Sequence, residues 1–240
     1  MTTLFISDLH LDESRPDISR AFFKFLERET PHAEALYILG DFFEVWVGDD
    51  DDSEFSREIV ESLRNISDKG TALYFMHGNR DFLVGDTFTK ETGATLLPDP
   101  SVIELYGEPV LLMHGDSLCT LDEDYMIFRQ QARSPEWQQQ LMSHSLAERR
   151  IIAADLRLKS QSMNSLKAED IMDVTPSEVS KVMELKQVKH LIHGHTHRPA
   201  RHPLSLKSGK AERIVLGDWH DHGWVLRVSP DAYSLEQFLI

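Results

Sequence analysis

Apolar residues come in short unbroken runs separated by longer stretches of helical spacing. Leu4-Phe5-Ile6, Leu36-Tyr37-Ile38-Leu39 and Leu73-Tyr74-Phe75-Met76 are wholly apolar, as expected of strands covered on both faces. Between them Ile18, Phe22, Phe25 and Leu26 predict one amphipathic helix, starting from Asp17. Phe55, Ile59, Leu63 and Ile66 predict a second, with Gly70 where a terminating glycine belongs. This β-α-β-α-β order predicts an α/β layered fold. Short strands at 95–97 and 102–105, a turn at Gly107-Glu108-Pro109 and the run Val110-Leu111-Leu112-Met113 follow. Between 122 and 167 the strand rhythm breaks and a Gln-, Arg- and Ser-rich stretch takes helical periodicity. Thr175 as N-cap and Pro176 at the first helical position then open a helix through Val179, Val182, Met183 and Leu185. Leu191-Ile192 and the segments 213–216, 224–228 and 235–239 complete the strands, the last three expected to be antiparallel. One domain over 1–240, with a helical cap inserted at 122–168, is the expected organisation.

Composition narrows the class. At 240 residues and 41% hydrophobic, the chain can bury a sizeable core. Its formal charge of −15 lacks the basic footprint of a nucleic-acid binder. The lone Cys119 allows no internal disulfide; it is expected as a packed thiol and fits a reducing compartment. The first residues lack a basic n-region and reach Asp8 after a very short apolar run, so they predict a strand rather than a secretion signal. No apolar stretch approaches the ~20 residues of a membrane span. A cytoplasmic protein is expected.

The apolar runs share a further property. Each delivers a small cluster of His, Asp or Asn beside glycine: Ser7-Asp8-Leu9-His10, Gly40-Asp41, Gly78-Asn79-Arg80-Asp81, His114-Gly115-Asp116 and His193-Gly194-His195-Thr196-His197. Five such clusters predict one site gathered on one rim of the sheet. Asp8, His10, Asp41, Asn79, His114, His195 and His197 offer oxygen and imidazole donors without a thiolate. That set suits Mn²⁺, Fe or Zn²⁺ rather than a structural zinc. Seven donors exceed one ion's needs but fill two adjacent sites when an aspartate bridges, the arrangement used against phosphate esters.

In these motifs the chain resembles the calcineurin-like metallophosphoesterases, whose pattern is Asp-x-His, Gly-Asp-x-x-Asp, Gly-Asn-His-Asp/Glu, a lone His and Gly-His-x-His. The resemblance implies a β-sandwich flanked by helices and metal roles for Asp8, His10, Asp41 (bridging), Asn79, His114, His195 and His197. Two positions depart from it. Glu44 stands where the family usually has Asp, and Arg80 where it usually has His. A guanidinium, with a pKa above about 12, cannot deliver a proton. It can stabilise negative charge and hold a phosphate, which favours a leaving group that departs as an anion, as from a pyrophosphate. Longer stretches, from Tyr37 through Trp46, from His77 through Leu83, from His114 through Thr120 and from Ile192 through Pro199, resemble the nucleotide-lipid pyrophosphatases of lipid A biosynthesis in Gram-negative bacteria. That resemblance implies hydrolysis of UDP-2,3-diacylglucosamine to UMP and 2,3-diacylglucosamine 1-phosphate, with two Mn²⁺ ions and water attacking the α-phosphorus. It also implies peripheral attachment to the inner membrane from the cytoplasm.

The expected cap carries the basic residues. From 129 to 167 there are seven basic and three acidic residues, leaving −19 for the rest of the chain. Arg149, Ala153, Arg157, Ser160, Asn164 and Lys167 follow at steps of three and four, one helix face able to meet phosphate and sugar oxygens. The resemblance places substrate contacts at Asn79, Arg80, Asp122, Ser160, Asn164, Lys167 and His195. Catalytic roles are expected for Arg80, Asn79 and His195. The segment between Pro135 and Leu146 is less apolar than a membrane-dipping cap would be. The acidic run 49–52 is expected as a solvated turn or helix start, and His220 and His222 as surface residues. A monomer without a nucleic-acid partner is expected. A pyrophosphatase or phosphodiesterase of soluble nucleotides and a non-catalytic scaffold of the same fold remain the alternatives.

Overall fold

The first three apolar runs are strands, buried on both faces because alternate side chains enter different cores. The computed structural model describes residues 2–164 and 171–240, and the backbone alone at 161, 163 and 164. In it β1 (Thr3–Ile6), β2 (Ala35–Leu39) and β3 (Ala72–Met76) lie parallel and adjacent. Leu4, Ile6, Leu36, Ile38, Leu73 and Phe75 join one apolar cluster, and Phe5, Ala35, Tyr37, Leu39 and Met76 join another. Period-two alternation thus feeds two cores from one strand.

The first cluster lies beneath the helices α1 (Pro16–Glu29), α2 (Glu54–Asp68) and α3 (Asp86–Thr92), which contribute Phe22, Phe25, Ile59, Leu63 and Phe88. Burying one such side chain stabilises by roughly 1.5–3 kcal/mol. Ser53 caps α2, its hydroxyl accepting from the Ser56 N–H at 3.1 Å. At the other end Gly70 takes φ 101°, a turn that a side chain would strain.

Two sheets face each other across the second cluster. The first contains β4 (Thr95–Leu97), β10 (His222–Ser229) and β11 (Ala232–Leu239), in the order β11-β10-β1-β2-β3-β4. The second is made of β5 (Ser101–Leu105), β6 (Glu108–Leu112), β7 (His190–His193), β8 (Ala200–Leu206) and β9 (Gly209–Val215), in the order β5-β6-β7-β9-β8. Leu112, Ile192 and Ile214 fill the seam from this side. Its outer face packs Leu111 and Leu191 against Val179 and Met183 of the helix Pro176–Lys186. The result is the expected sandwich flanked by helices.

Some local expectations change. Thr175 stands at the N-cap position but bonds the Thr120 hydroxyl at 2.8 Å instead of a helix N–H. Strand β9 is antiparallel to β8 but parallel to β7. Strand β8 was hidden by Pro203, which an edge strand tolerates because it needs no inward N–H there. Helix α3, at seven residues, is too short for a readable period. The Gln-, Arg- and Ser-rich stretch holds α4 (Glu123–Ala132), α5 (Pro135–Met142) and α6 (Leu146–Asn164), which makes the helix Pro176–Lys186 α7. Nothing in α5 is buried. Cys119 is a buried free thiol, pushed up to about 12 by its burial. His220 is exposed, as expected of a surface residue.

Candidate metal centre

Every sequence cluster lies where a strand stops. Strands β1, β2 and β3 end at Ile6, Leu39 and Met76, one or two residues before Ser7-Asp8, Gly40-Asp41 and His77-Gly78-Asn79. Strands β6 and β7 end just before His114 and Gly194-His195. The expectation of a rim on one sheet is therefore corrected: the donors come from the ends of strands in both sheets. A sandwich can do this because its two parallel sets of strands finish at the same edge.

The backbone there is strained in one consistent way. Asp8, His10, Asp41, His195 and His197 have φ of 56°, 50°, 49°, 68° and 54°. Left-handed conformations are costly for residues with a Cβ, and they persist where the surroundings over-determine them, often at functional sites. Close approach adds a second constraint. A Cβ on Gly78 would stand 2.2 Å from Asp41 Oδ1, and one on Gly194 would stand 2.2 Å from Asp8 Oδ2.

Two groups of donors result: Asp8, His10 and His197, and Asp41, His114 and His195. Within each, the ligand-type atoms all lie within 4.8 Å of one another. The Nε2 atoms of His10 and His197 face each other at 3.2 Å, and His197 Nε2 lies 3.5 Å from Asp8 Oδ1. In the other group His114 Nε2 stands 3.1 Å from Asn79 Oδ1 and 3.6 Å from Asp41 Oδ1. All seven expected donors are thus at the rim. Nitrogen and oxygen lone pairs converging on one space, without a thiolate, fit a divalent cation such as Mn²⁺ or Zn²⁺.

Outer contacts orient these donors. His114 Nδ1 donates to the Leu39 carbonyl at 2.8 Å, which turns Nε2 inward. Glu44 Oε2 lies 3.0 Å from His10 Nδ1, and Asp218 Oδ2 lies 3.7 Å from His197 Nδ1. Asp8 accepts from the His195 N–H at 2.9 Å, and Asp41 accepts from the Arg80 N–H at 2.8 Å. Buried Asp81 ties two motif loops together, taking N–H bonds from Gly78 and Phe42, both at 2.7 Å.

The charges are mutually dependent. Burial works against ionised Asp8, yet His197, His114 and His10 hold its carboxyl well below the usual carboxylate range. Burial likewise opposes a charged His114, but Asp41, Asp116 and Asp8 push it up to about 9. His195, buried beside His114, is pushed down to about 4. Asp8 raises His197, outweighing its partial loss of water. A proton on His114 therefore offsets the buried carboxylates, a task that a bound cation would take over.

Beside the rim, a cavity of about 330 Å³ is lined by the polar side chains of Asn79, Arg80, Arg149, Arg157 and Ser160 together with apolar Phe82, Leu83, Phe128, Trp137, Ile152 and Leu156. The Arg80 Nε is buried without a hydrogen-bond partner. Arg157 is paired with Glu44. Arg149, expected at the substrate, lines the same cavity, and its guanidinium is paired with Asp50 and donates to the Val47 carbonyl. At 3% side-chain exposure it needs such partners, and helix spacing alone could not show them. Asp122 is buried and caps α4, accepting from the Tyr125 N–H at 3.1 Å. The Asn164 side chain and Lys167 lie outside the described residues. The acidic run 49–52 is more than a solvated turn, for Asp50 and Asp51 pair with Arg149 and Arg150 of α6.

Asp218, Asp81, Asp116 and Tyr125 were not singled out from the sequence. For Asp218 the signal existed: Val215-Leu216-Gly217-Asp218 repeats the apolar-run-then-Gly-Asp pattern of Gly40-Asp41.

A family model for the calcineurin-like phosphoesterases matches residues 1–199. The chain is 58% identical over 238 residues to the UDP-2,3-diacylglucosamine hydrolase of Cellvibrio japonicus (strain Ueda107), with 99% of each chain covered. It is 56% identical, again over 99% of each chain, to the UDP-2,3-diacylglucosamine hydrolase of Pseudomonas aeruginosa (strain UCBPP-PA14). Among solved structures, an archaeal phosphodiesterase is similar at a TM-score of 0.52 and 13% identity over the full length of both chains, a likeness of fold alone.

Proposed function

From the premise that the chain belongs to the calcineurin-like phosphoesterase family, we propose that it hydrolyses UDP-2,3-diacylglucosamine to UMP and 2,3-diacylglucosamine 1-phosphate. The observation that carries this reading is the cavity beside the donor groups, whose lining combines cationic and polar groups with many apolar side chains. That mixed lining suits a ligand with a phosphate head and acyl chains. Relatives at 58% and 56% identity bear the name of this activity.

Two divalent cations, Mn²⁺ by preference and with Asp41 bridging them, would supply Lewis acidity and activate the attacking water. Asp8, His10 and His197 would hold one, and Asp41, Asn79, His114 and His195 the other. Arg80, its Nε buried and unpartnered, offers charge and donors to the phosphoryl oxygens without delivering a proton. Water adds to the α-phosphorus and the bond to the bridging oxygen breaks. The sugar 1-phosphate leaves as an anion and needs no general acid. His195, pushed down to about 4 by burial and the neighbouring His114, is neutral at pH 7 and able to act as a ligand.

Helices α4, α5 and α6 would form a cap over the lipid. Arg157 and Ser160 would meet the substrate's polar groups, with Asn164 and Lys167 further along the same sequence spacing. Asp122 is expected nearby, at the start of α4. Exposed Leu121, Ile127, Ile151 and Leu158 would let this face rest on the cytoplasmic leaflet of the inner membrane as a peripheral contact. Among the described residues, no helix is long and apolar enough to cross a membrane. Since one chain supplies every donor, the reading takes a monomer as the working unit. Comparing turnover of UDP-2,3-diacylglucosamine with that of UDP-N-acetylglucosamine and ADP-ribose, each with Mn²⁺, tests the proposal. Preference for the diacylated compound is expected; preference for either soluble compound would overturn it.

A further inference from the structure

Asp116 is fully buried two residues beyond His114, yet it belongs to neither donor group. Its Oδ2 accepts instead from α4, from the Tyr125 hydroxyl at 2.6 Å and the Arg129 Nε at 2.8 Å. The Arg133 guanidinium, at the C-terminal end of the same helix, approaches that oxygen at 3.8 Å. Two of these three residues touch the metal rim. The Tyr125 ring lies beside the His195 ring, with centroids 6.0 Å apart and planes inclined by 30°. Arg133 donates from Nη2 to the Gly78 carbonyl at 2.9 Å, while its guanidinium carbon stands 5.8 Å over the Phe82 ring.

The Gly78 carbonyl belongs to the peptide bond that leads into Asn79. The amide group of Gly78 is held from the other side by Asp81, at 2.7 Å. The loop that carries Asn79 and Arg80 is therefore clamped twice, once from within and once from α4. A buried carboxylate shared by arginines is a poor way to gain stability, because desolvation offsets most of its attraction. It is a good way to set a position, because each bond is directional and charge-assisted.

We infer that Arg133, held in place by Asp116, is a positioning residue: it pins the Gly78–Asn79 peptide from α4, so that Asn79 and Arg80 reach the substrate phosphate only when that helix is seated. The inference rests on the reading of Asn79 and Arg80 as phosphate-side residues. A displacement of about 1 Å in such a group costs about 100-fold in rate.

The test is Arg133→Met, which keeps an apolar stem over Phe82 and removes the donor. In the metal-free protein, amide hydrogen exchange is expected to quicken by about tenfold in segment 77–82 while α2 exchanges as before. With Mn²⁺ present, kcat should fall about 10- to 100-fold with KM nearly unchanged, and Arg133→Lys should recover part of the loss. Should Arg133→Met not fold, Arg133→Gln, too short to make the bond, carries the same expectation. Unchanged exchange in 77–82, or a kcat like that of the parent, would overturn the inference. The kinetics are also read on bis-p-nitrophenyl phosphate. Parent activity on that compound but not on the nucleotide-lipid would sink the substrate proposal and still leave the role of Arg133 decidable.

Discussion

Around the donor groups, five ligand residues sit at positive φ and two glycines stand where a Cβ would collide with a carboxylate. In the helices α4–α6, by contrast, α5 buries no side chain and α6 meets the body through Arg149 and Arg150 paired with the acidic turn. The rim is held by backbone geometry, which leaves little freedom and tolerates little change. The helices are held mostly by side-chain charges, which can part and re-form. A reaction with an amphiphilic substrate needs both, since donors must stay within a fraction of an ångström while a pocket admits and releases acyl chains. Asp116 is the exception, a buried hub that binds α4 to the rim itself.

Substitutions should separate these two kinds of construction. The largest effect is expected at the rim: Asp41→Ala should abolish turnover and lower the metal content measured by atomic emission at both groups, whereas loss at one group alone would refute bridging. Next comes Arg80→Ala. It should leave metal content intact and cut kcat by about 100- to 1000-fold, and an unchanged kcat would remove Arg80 from the mechanism.

The pH dependence of metal binding probes the same rim more gently. In the metal-free protein His114, at about 9, is protonated at pH 7, and His197 is raised in the same direction. A cation must displace the His114 proton, so its affinity should rise as the pH climbs toward 9. The slope is about tenfold per pH unit for each proton displaced. Calorimetry in buffers of different ionisation enthalpy would count the protons, and uptake or no exchange would contradict these charges.

The smallest effect is expected in the helices. Asp50 is largely exposed while Arg149 is not, and Arg149 keeps its bond to the Val47 carbonyl without Asp50. Asp50→Asn should therefore cost only about 1 kcal/mol, less at high salt. Denaturant titrations at two ionic strengths measure it; a loss as large as that of a core truncation would show the turn to be part of the rigid body.

Much of this was legible beforehand, for particular reasons. Runs such as Leu36-Tyr37-Ile38-Leu39 are apolar on both faces because both are covered, a requirement that is local enough to read. The donors were legible because each follows such a run beside a glycine. Asp218 shows where that legibility was missed rather than absent. Arg149 shows where it ended: helix spacing put a basic residue on the face that lines the cavity, but its pairing with Asp50 became visible only in the structure. The spacing of a helix determines a face, but not what stands opposite it. Asp116 was quoted within a motif, yet its partners, Tyr125 and Arg129, became neighbours only when α4 packed down.

By itself, then, the sequence determined most of the strands, the oxygen and nitrogen donor set and the substitution of Arg80 for a proton donor, because each depends on residue type and near neighbours. Tertiary structure alone decided that two sheets, not one, supply the rim, that the donors divide into two groups of three with Asn79 beside the second, and that Asp50, Asp116 and Glu44 receive the arginines of α4 and α6. Those outcomes are pairings between residues far apart in the chain. Which charge meets which is set by the packing of whole elements, whose burial outweighs any single ion pair.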